Sequence, residues 1–77
     1  MKKFHVIIVV NQMPLQFDVA EMVENNDLKF RVSTPNHGSV LVRFDTDAGE
    51  YKIEGHADIF WQQIENDLSY KIQFENL

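Results

Sequence analysis

The sequence predicts an α+β fold, in which an antiparallel four- to five-stranded β-meander carries one C-terminal helix packed on one face. Two observations predict it. Apolar and polar residues alternate in five short runs over the first 54 positions, and an apolar pattern of helical period follows from Ala57. Side chains of a strand point to opposite faces in turn, whereas side chains of a helix return to one face every three or four residues. A sheet followed by one helix makes a two-layer domain.

The five alternating runs predict strands at residues 3–10, 15–23, 28–33, 40–45 and 51–54. The first run is apolar on both of its sides, which is typical of a central strand or of a strand whose second face is also covered. Glu21 breaks the alternation of the second run, so we expect a β-bulge between Ala20 and Met22. Short turns join consecutive runs, and this favours an antiparallel meander in chain order.

Apolar residues at helical spacing predict a helix over residues 58–69. Its apolar stripe consists of Ala57, Phe60, Trp61, Ile64, Leu68 and Ile72. Asp58 is suited to cap the N-terminus, because its carboxylate can accept hydrogen bonds from the N–H groups of the first turn. Beyond Ser69 the alternation of Tyr70, Ile72 and Phe74 is compatible with a sixth strand, but the lack of Gly and Pro favours continuation of the helix.

The length of 77 residues predicts a single domain, 1–77, with a small core. Such domains often need a disulfide, a metal or a second subunit for stability, and the absence of cysteine excludes disulfides and thiolate metal sites. A net charge of −5 argues against nucleic acid and anionic membranes as partners. No apolar stretch approaches the length of about 18 residues that a membrane span needs. We therefore expect a soluble cytoplasmic protein of bacterial type.

Motifs that carry chemistry are not recognisable. The acidic segment that starts at Asp45 fails as a calcium loop, because Gly49 falls at position 5 and Glu50 at position 6; it predicts a hairpin turn instead. His5, His37 and His56 are far apart in the chain, and no serine lies in a Gly-x-Ser-x-Gly elbow. The sequence therefore predicts no catalytic residue, no cofactor and no metal, and hence no enzyme.

The sheet face opposite the helix is the strongest candidate for a binding surface. Its predicted apolar residues are Ile7, Val9 and Leu41, and its polar ones are His5, Gln16, Asp18, Lys29, Arg31 and Arg43. On the helix, the side chains of Phe60 and Trp61 point about 100° apart, so one of them must lie at the rim of the stripe. Trp61 either covers the sheet edge or anchors a partner. The residues expected at an interface are Ile7, Val9, Leu41, Arg43 and Trp61.

Three hypotheses about function follow. The first is a small non-enzymatic interaction or adaptor domain that forms a homodimer, since no covalent staple supports so small a core. The second is an acidic inhibitor, antitoxin or immunity-like protein, whose carboxylates on the turns and helix bind another, basic protein. The third is a small-molecule binder or enzyme with a pocket beneath the helix.

Overall fold

The computed structural model describes residues 2–55 and 58–75, and it confirms the predicted architecture. The strands are β1 (Lys3–Val10), β2 (Met13–Glu24), β3 (Asp27–Thr34), β4 (Gly38–Asp45) and β5 (Glu50–Ile53), and the helix is α1 (Ile59–Glu75). The strands form one curled sheet in the order β1-β2-β3-β4-β5, with every neighbouring pair antiparallel. His56 and Ala57, the first residue of the predicted stripe, lie outside the described residues.

Two tight turns set the register of the first three strands. Asn11 and Gln12 join β1 to β2 with φ of 50° and 67°, and Asn25 and Asn26 join β2 to β3 with φ of 52° and 65°. A two-residue loop with positive φ at both positions has the twist that antiparallel strands require. Asparagine tolerates this left-handed conformation better than most residues. These turns therefore keep consecutive strands adjacent in the sheet.

The predicted bulge in β2 is wrong. Pairing between β2 and β3 runs without interruption from Asp18 to Glu24. Glu21 keeps its place in the alternation and lies opposite Phe30, half-buried on the side that faces the helix. The hairpin of β2 and β3 extends past the core at this end, where Val23 on the same side is 59% exposed. The carboxylate of Glu21 therefore has water near it without any change of register.

The core fills the space between the helix and one side of the sheet, called here the inner side. Its buried members are Val6, Ile8, Val10, Phe17, Val19, Phe30, Val32 and Val42 from the sheet and Trp61, Ile64, Leu68 and Ile72 from the helix. Aromatic rings meet edge to face within it: the ring centroids of Phe17 and Trp61 are 5.8 Å apart, and those of Phe30 and Tyr51 are 5.6 Å apart. This geometry suits the charge distribution of aromatic rings.

The helix begins and continues as the sequence indicates. The Asp58 carboxylate accepts a hydrogen bond from the backbone N–H of Trp61 at 3.2 Å, as expected of an N-cap residue. The helix continues to Glu75, so the favoured interpretation of the tail is confirmed. Ile72 is completely buried on the stripe, whereas Tyr70 and Phe74 are exposed. A strand would have placed all three on one side, and only the helix separates Ile72 from its neighbours.

The helix satisfies one edge of the sheet through two side chains. The backbone N–H of Tyr51 donates to Ser69 Oγ, and that of Ile53 donates to Glu65 Oε2, each at 2.8 Å. Residues two apart on a strand are about 6.7 Å apart, and residues one turn apart on a helix are about 6 Å apart. Because these spacings match, α1 takes the place beside β5 that a sixth strand would take.

Replacement of a buried aromatic residue tests whether the inner side of the sheet forms the core. We expect Phe30→Ala to lower the free energy of unfolding by about 3–5 kcal/mol, because the residue has no exposed surface. Phe74→Ala is the matched control: the same chemical change at a residue that is 64% exposed should cost under about 0.5 kcal/mol. Urea denaturation monitored by tryptophan fluorescence measures both. Equal losses would contradict this description of the core.

Replacement of Ser69 tests the contact between helix and edge. Ser69→Ala leaves the N–H of Tyr51 without its acceptor, and we expect a loss of about 1–3 kcal/mol in the free energy of unfolding. The amide of Tyr51 should also exchange faster with solvent. Ser39→Ala, at an exposed position on β4, should change neither quantity measurably. An unchanged exchange rate at Tyr51 in the Ser69 variant would show that the bond is not formed in solution.

Candidate interaction surface on the outer side of the sheet

The side of the sheet that faces away from the helix, called here the outer side, is arranged in rows across the strands. One row contains Lys3, Ala20, Arg31 and Leu41, and the next contains His5, Asp18, Ser33 and Ser39. Beyond them, Ile7 lies opposite Gln16 and Val9 lies opposite Pro14. The outer side is therefore apolar near the β1–β2 turn and polar over its middle.

The residues expected at an interface do not form a single patch. Ile7 and Val9 lie together on β1 and are 46% and 64% exposed. Leu41 is half-buried on β4, three strand spacings or about 14 Å away along the sheet. The polar row that contains His5 and Ser39 lies between Leu41 and Ile7, and Arg31 lies directly opposite Leu41. Leu41 therefore lies apart from Ile7 and Val9, and these two residues of β1 form the exposed apolar patch on this side.

Trp61 is not on the surface. Its side chain is 2% exposed, and its indole N–H donates to the backbone carbonyl of His37 at 3.1 Å. Phe60 takes the rim position and stacks on the His37 ring with a centroid separation of 3.6 Å. The expectation that one member of the pair lies at the rim is met by Phe60. Trp61 as an anchor for a partner is corrected, because its ring and its N–H are both used within the core.

A shallow cationic depression lies beside the apolar patch. It has a volume of about 430 Å³, and Lys3, His5, Asp18, Ala20, Arg31 and Ser33 contribute to its lining. The small side chain of Ala20 leaves room at the centre of the row between Lys3 and Arg31. Neither cation forms an ion pair within residues 2–55 and 58–75. The depression can therefore accept a carboxylate from a binding partner at the margin of the patch.

On the outer side of β3 to β5, in contrast, two of the four basic side chains form ion pairs within the chain. Lys29 Nζ lies 3.2 Å from Glu24 Oε1 and 3.0 Å from Glu54 Oε2, and its side chain is only 9% exposed. Hydrogen bonds to Glu54 and Glu24 raise the pKa of Lys29, and together they outweigh the opposing effect of burial. Lys52 is paired with Glu50 at 2.8 Å, and this hydrogen bond likewise raises the pKa of Lys52.

Arg43 remains a free cation between these pairs. It lies opposite Lys29 on one side and Lys52 on the other, is exposed, and has no ion pair among the residues that the structure describes. Its position is remote from Ile7 and Val9, because β4 is three strands from β1. Arg43 therefore lies on a charged, solvated part of the outer side, and the structure does not bring it to the apolar patch.

The acidic segment between β4 and β5 is a turn. Asp45 Oδ1 accepts hydrogen bonds from the backbone N–H groups of Asp47 and Ala48 at 3.0 and 3.3 Å, and Gly49 has a φ of 71°. This is the hairpin that the sequence predicts.

Within residues 2–55 and 58–75, no group of three His, Asp or Glu side chains is placed to hold a metal ion. In the same part of the chain, no helix has the length and apolarity of a membrane span. His56 lies outside the described residues.

The outer edge of β1 is the feature that the sequence analysis missed. A backbone hydrogen bond from Glu21 N–H to the Lys2 carbonyl fixes which residues of β1 face β2. Since bonded pairs recur at every second residue, the odd-numbered residues direct their backbone groups away from the sheet. These are Lys3, His5, Ile7 and Val9. Among residues 2–55 and 58–75, these groups have no hydrogen-bond partner.

The interpretation of the first run as a central strand is therefore wrong, and its outer side is exposed. The predicted meander already implied that β1 is an edge strand. When tight turns join all strands in chain order, the first strand must lie at one edge of the sheet, whatever its composition.

The ion pairs of Lys29 make stability depend on pH above neutrality. Because the pKa of Lys29 is raised above its ordinary value of 10.5, its contribution is complete below that value and is lost as pH rises through the higher pKa of the folded state. We expect the free energy of unfolding to fall above pH 10.5 and the fall to be smaller in Lys29→Met. Lys71→Met is the control, because Lys71 has no ion pair in the described part of the chain. Identical pH profiles in urea titrations would contradict the assignment.

Comparison of the chain with protein-family models, with curated proteins and with solved structures finds no match in any of the three.

Proposed function

We propose that the protein is a small non-enzymatic interaction domain that forms a homodimer through the β1 side of its sheet. One observation carries the proposal: Ile7 and Val9 are exposed on a strand that is apolar on both sides and lies at the sheet edge. A strand with one side towards water normally alternates between apolar and polar residues, as β3 does with Arg31 and Ser33 on its outer side. The composition of β1 therefore fits a strand that lies against a partner in the working assembly.

The apolar patch alone supports only weak association. Complete burial of a fully exposed aliphatic side chain contributes about 1.5–3 kcal/mol; since Ile7 is 46% and Val9 64% exposed, the four side chains of two copies offer about 3–7 kcal/mol in total. Association costs about 4–15 kcal/mol in lost translational and rotational freedom. These quantities are similar in size. A dimer at micromolar concentration therefore needs polar contacts in addition to the patch.

The acidic-inhibitor hypothesis has less support from the observed contacts. Glu24, Glu54 and Glu50 are bound to lysines of the same chain, and Glu65 accepts the N–H of Ile53. Carboxylates engaged in this way present less charge to a basic partner.

A pocket beneath the helix also has little support, because the inner side is filled by buried aromatic and aliphatic side chains. We place the dimer in the cytoplasm, on the ground that the chain has no cysteine.

The oligomeric state tests the proposal. We expect sedimentation equilibrium to report a reversible dimer of the wild-type chain in the micromolar range. Val9→Lys should weaken it at least about tenfold, which corresponds to about 1.4 kcal/mol. Val23→Lys is a matched control, because Val23 is 59% exposed against 64% for Val9 but lies at the end of the β2–β3 hairpin on the inner side. A wild-type monomer at every concentration, or equal effects of the two variants, would overturn the proposal.

A further inference from the structure

We infer that two copies of this chain join edge to edge, through antiparallel pairing of their β1 strands into one continuous sheet. The inference rests on the proposed function, since it specifies how the homodimer forms. The partner is a second copy, and the groups that recognise it are the backbone N–H and C=O groups of Lys3, His5, Ile7 and Val9. The apolar side chains of Ile7 and Val9 lie next to this edge on the outer side.

The two edges of the sheet differ in one respect that decides where a second sheet can add. At β5 the outward N–H groups of Tyr51 and Ile53 are bound by Ser69 and Glu65. At β1 the outward groups have no partner within residues 2–55 and 58–75. The helix contacts β1 as well, and Lys2 Nζ donates to the Glu75 carbonyl at 3.0 Å, but no hydrogen bond joins the helix to the outward groups of β1 within residues 2–55 and 58–75. The β1 edge is therefore the one that can accept another strand.

The sequence of β1 lacks the features that normally prevent such pairing. Edge strands are commonly protected by internal charges, by proline or by a bulge. In β1 the only formally charged residue is Lys3, at one end of the strand. The strand contains no proline, and its pairing with β2 is regular from Lys3 to Val10. Eight residues of regular, nearly uncharged strand offer a long pairing surface.

A two-fold axis that passes between the Val6 residues of the two copies lets the outward backbone groups of Lys3, His5, Ile7 and Val9 all form hydrogen bonds. In that register Lys3 of one copy lies opposite Val9 of the other, and His5 lies opposite Ile7. Each opposed pair exchanges two hydrogen bonds, so that about eight form across the axis. The two Lys3 side chains fall at opposite ends of the new pairing, and like charges are not brought together. On the inner side Phe4 lies opposite Ile8, which extends the apolar core across the junction.

The second copy is favoured over a foreign peptide because the assembly then closes. Pairing of β1 with β1 leaves β5 at both ends of the joined sheet, where the outward N–H groups of Tyr51 and Ile53 are already bound by the helix of the same copy. These N–H groups are then not available to a third copy. A two-fold contact of this kind uses the same residues on both sides and is the commonest closed assembly.

Amide hydrogen exchange distinguishes this mode from stacking of the outer faces. In the monomer, the even-numbered amides of β1 are bound to β2 and the odd-numbered ones are exposed. As concentration rises through the dissociation constant, we expect the amides of His5, Ile7 and Val9 to become protected at least about tenfold. Face-to-face stacking would leave these amides in fast exchange, because it makes no backbone hydrogen bonds.

A proline variant also tests whether the two copies pair through the backbone groups of β1. Ile7→Pro removes an outward N–H and no bond to β2, so the fold should survive while dimerisation is lost. Ile7→Lys, which places a charge at the same edge, is the second variant if proline disturbs the strand. Leu41→Lys is the control, since Leu41 lies on the outer side away from this edge, and it should dimerise as the wild type does.

The outcomes separate the two proposals. Loss of the dimer in the Ile7 variants, together with protection of the odd-numbered amides in the wild type, supports edge pairing. A dimer that is insensitive to both Ile7 variants, or one that Leu41→Lys abolishes, overturns edge pairing and leaves the homodimer. A wild-type chain that stays monomeric at high concentration overturns both.

Discussion

A five-stranded open sheet has two edges, and this chain has one described helix with which to cover them. The hydrogen bonds from the N–H groups of Tyr51 and Ile53 to Ser69 and Glu65 hold that helix beside β5. Because the spacing along the strand matches one helical turn, these contacts also fix the direction of the helix antiparallel to β5. The sheet curls around the helix, the inner side becomes the core, and the outward backbone groups of β1 keep no hydrogen-bond partner among residues 2–55 and 58–75. The open edge of β1 is thus a consequence of how the other edge is covered.

Much of the fold could be predicted because it depends on local patterns. The alternation in β3 and the helical spacing from Phe60 to Ile72 each identify an element without knowledge of the rest of the chain. The capping role of Asp58 is equally local. The bulge prediction failed because it assumed that every residue on the inner side must be apolar. Glu21 lies where the hairpin has passed beyond the core, and how far a helix covers a sheet depends on tertiary packing.

The candidate surface was only partly predictable. Alternation assigns a residue to a side of the sheet, and it placed Ile7, Val9 and Leu41 on the outer side correctly. It does not give the distance between residues on different strands, which needs the register, and so it could not show that Leu41 is remote. The burial of Trp61 depends on a hydrogen bond to the carbonyl of His37 in a distant turn. No pattern along the helix contains that information.

The distribution of charge on the outer side is consistent with one covered and one solvated region. Lys29, Arg31, Arg43 and Lys52 lie on β3 to β5, and ion pairs with glutamates hold two of them in place. Beyond Lys3, β1 has no formal charge, although Ile7 and Val9 on its outer side are 46% and 64% exposed in the single chain. If both regions were permanently solvated, the same alternation of apolar and charged residues would serve each of them. The difference between β1 and β3 therefore agrees with the proposed contact at β1, which would leave the charged strands in water at the two ends of the proposed dimer.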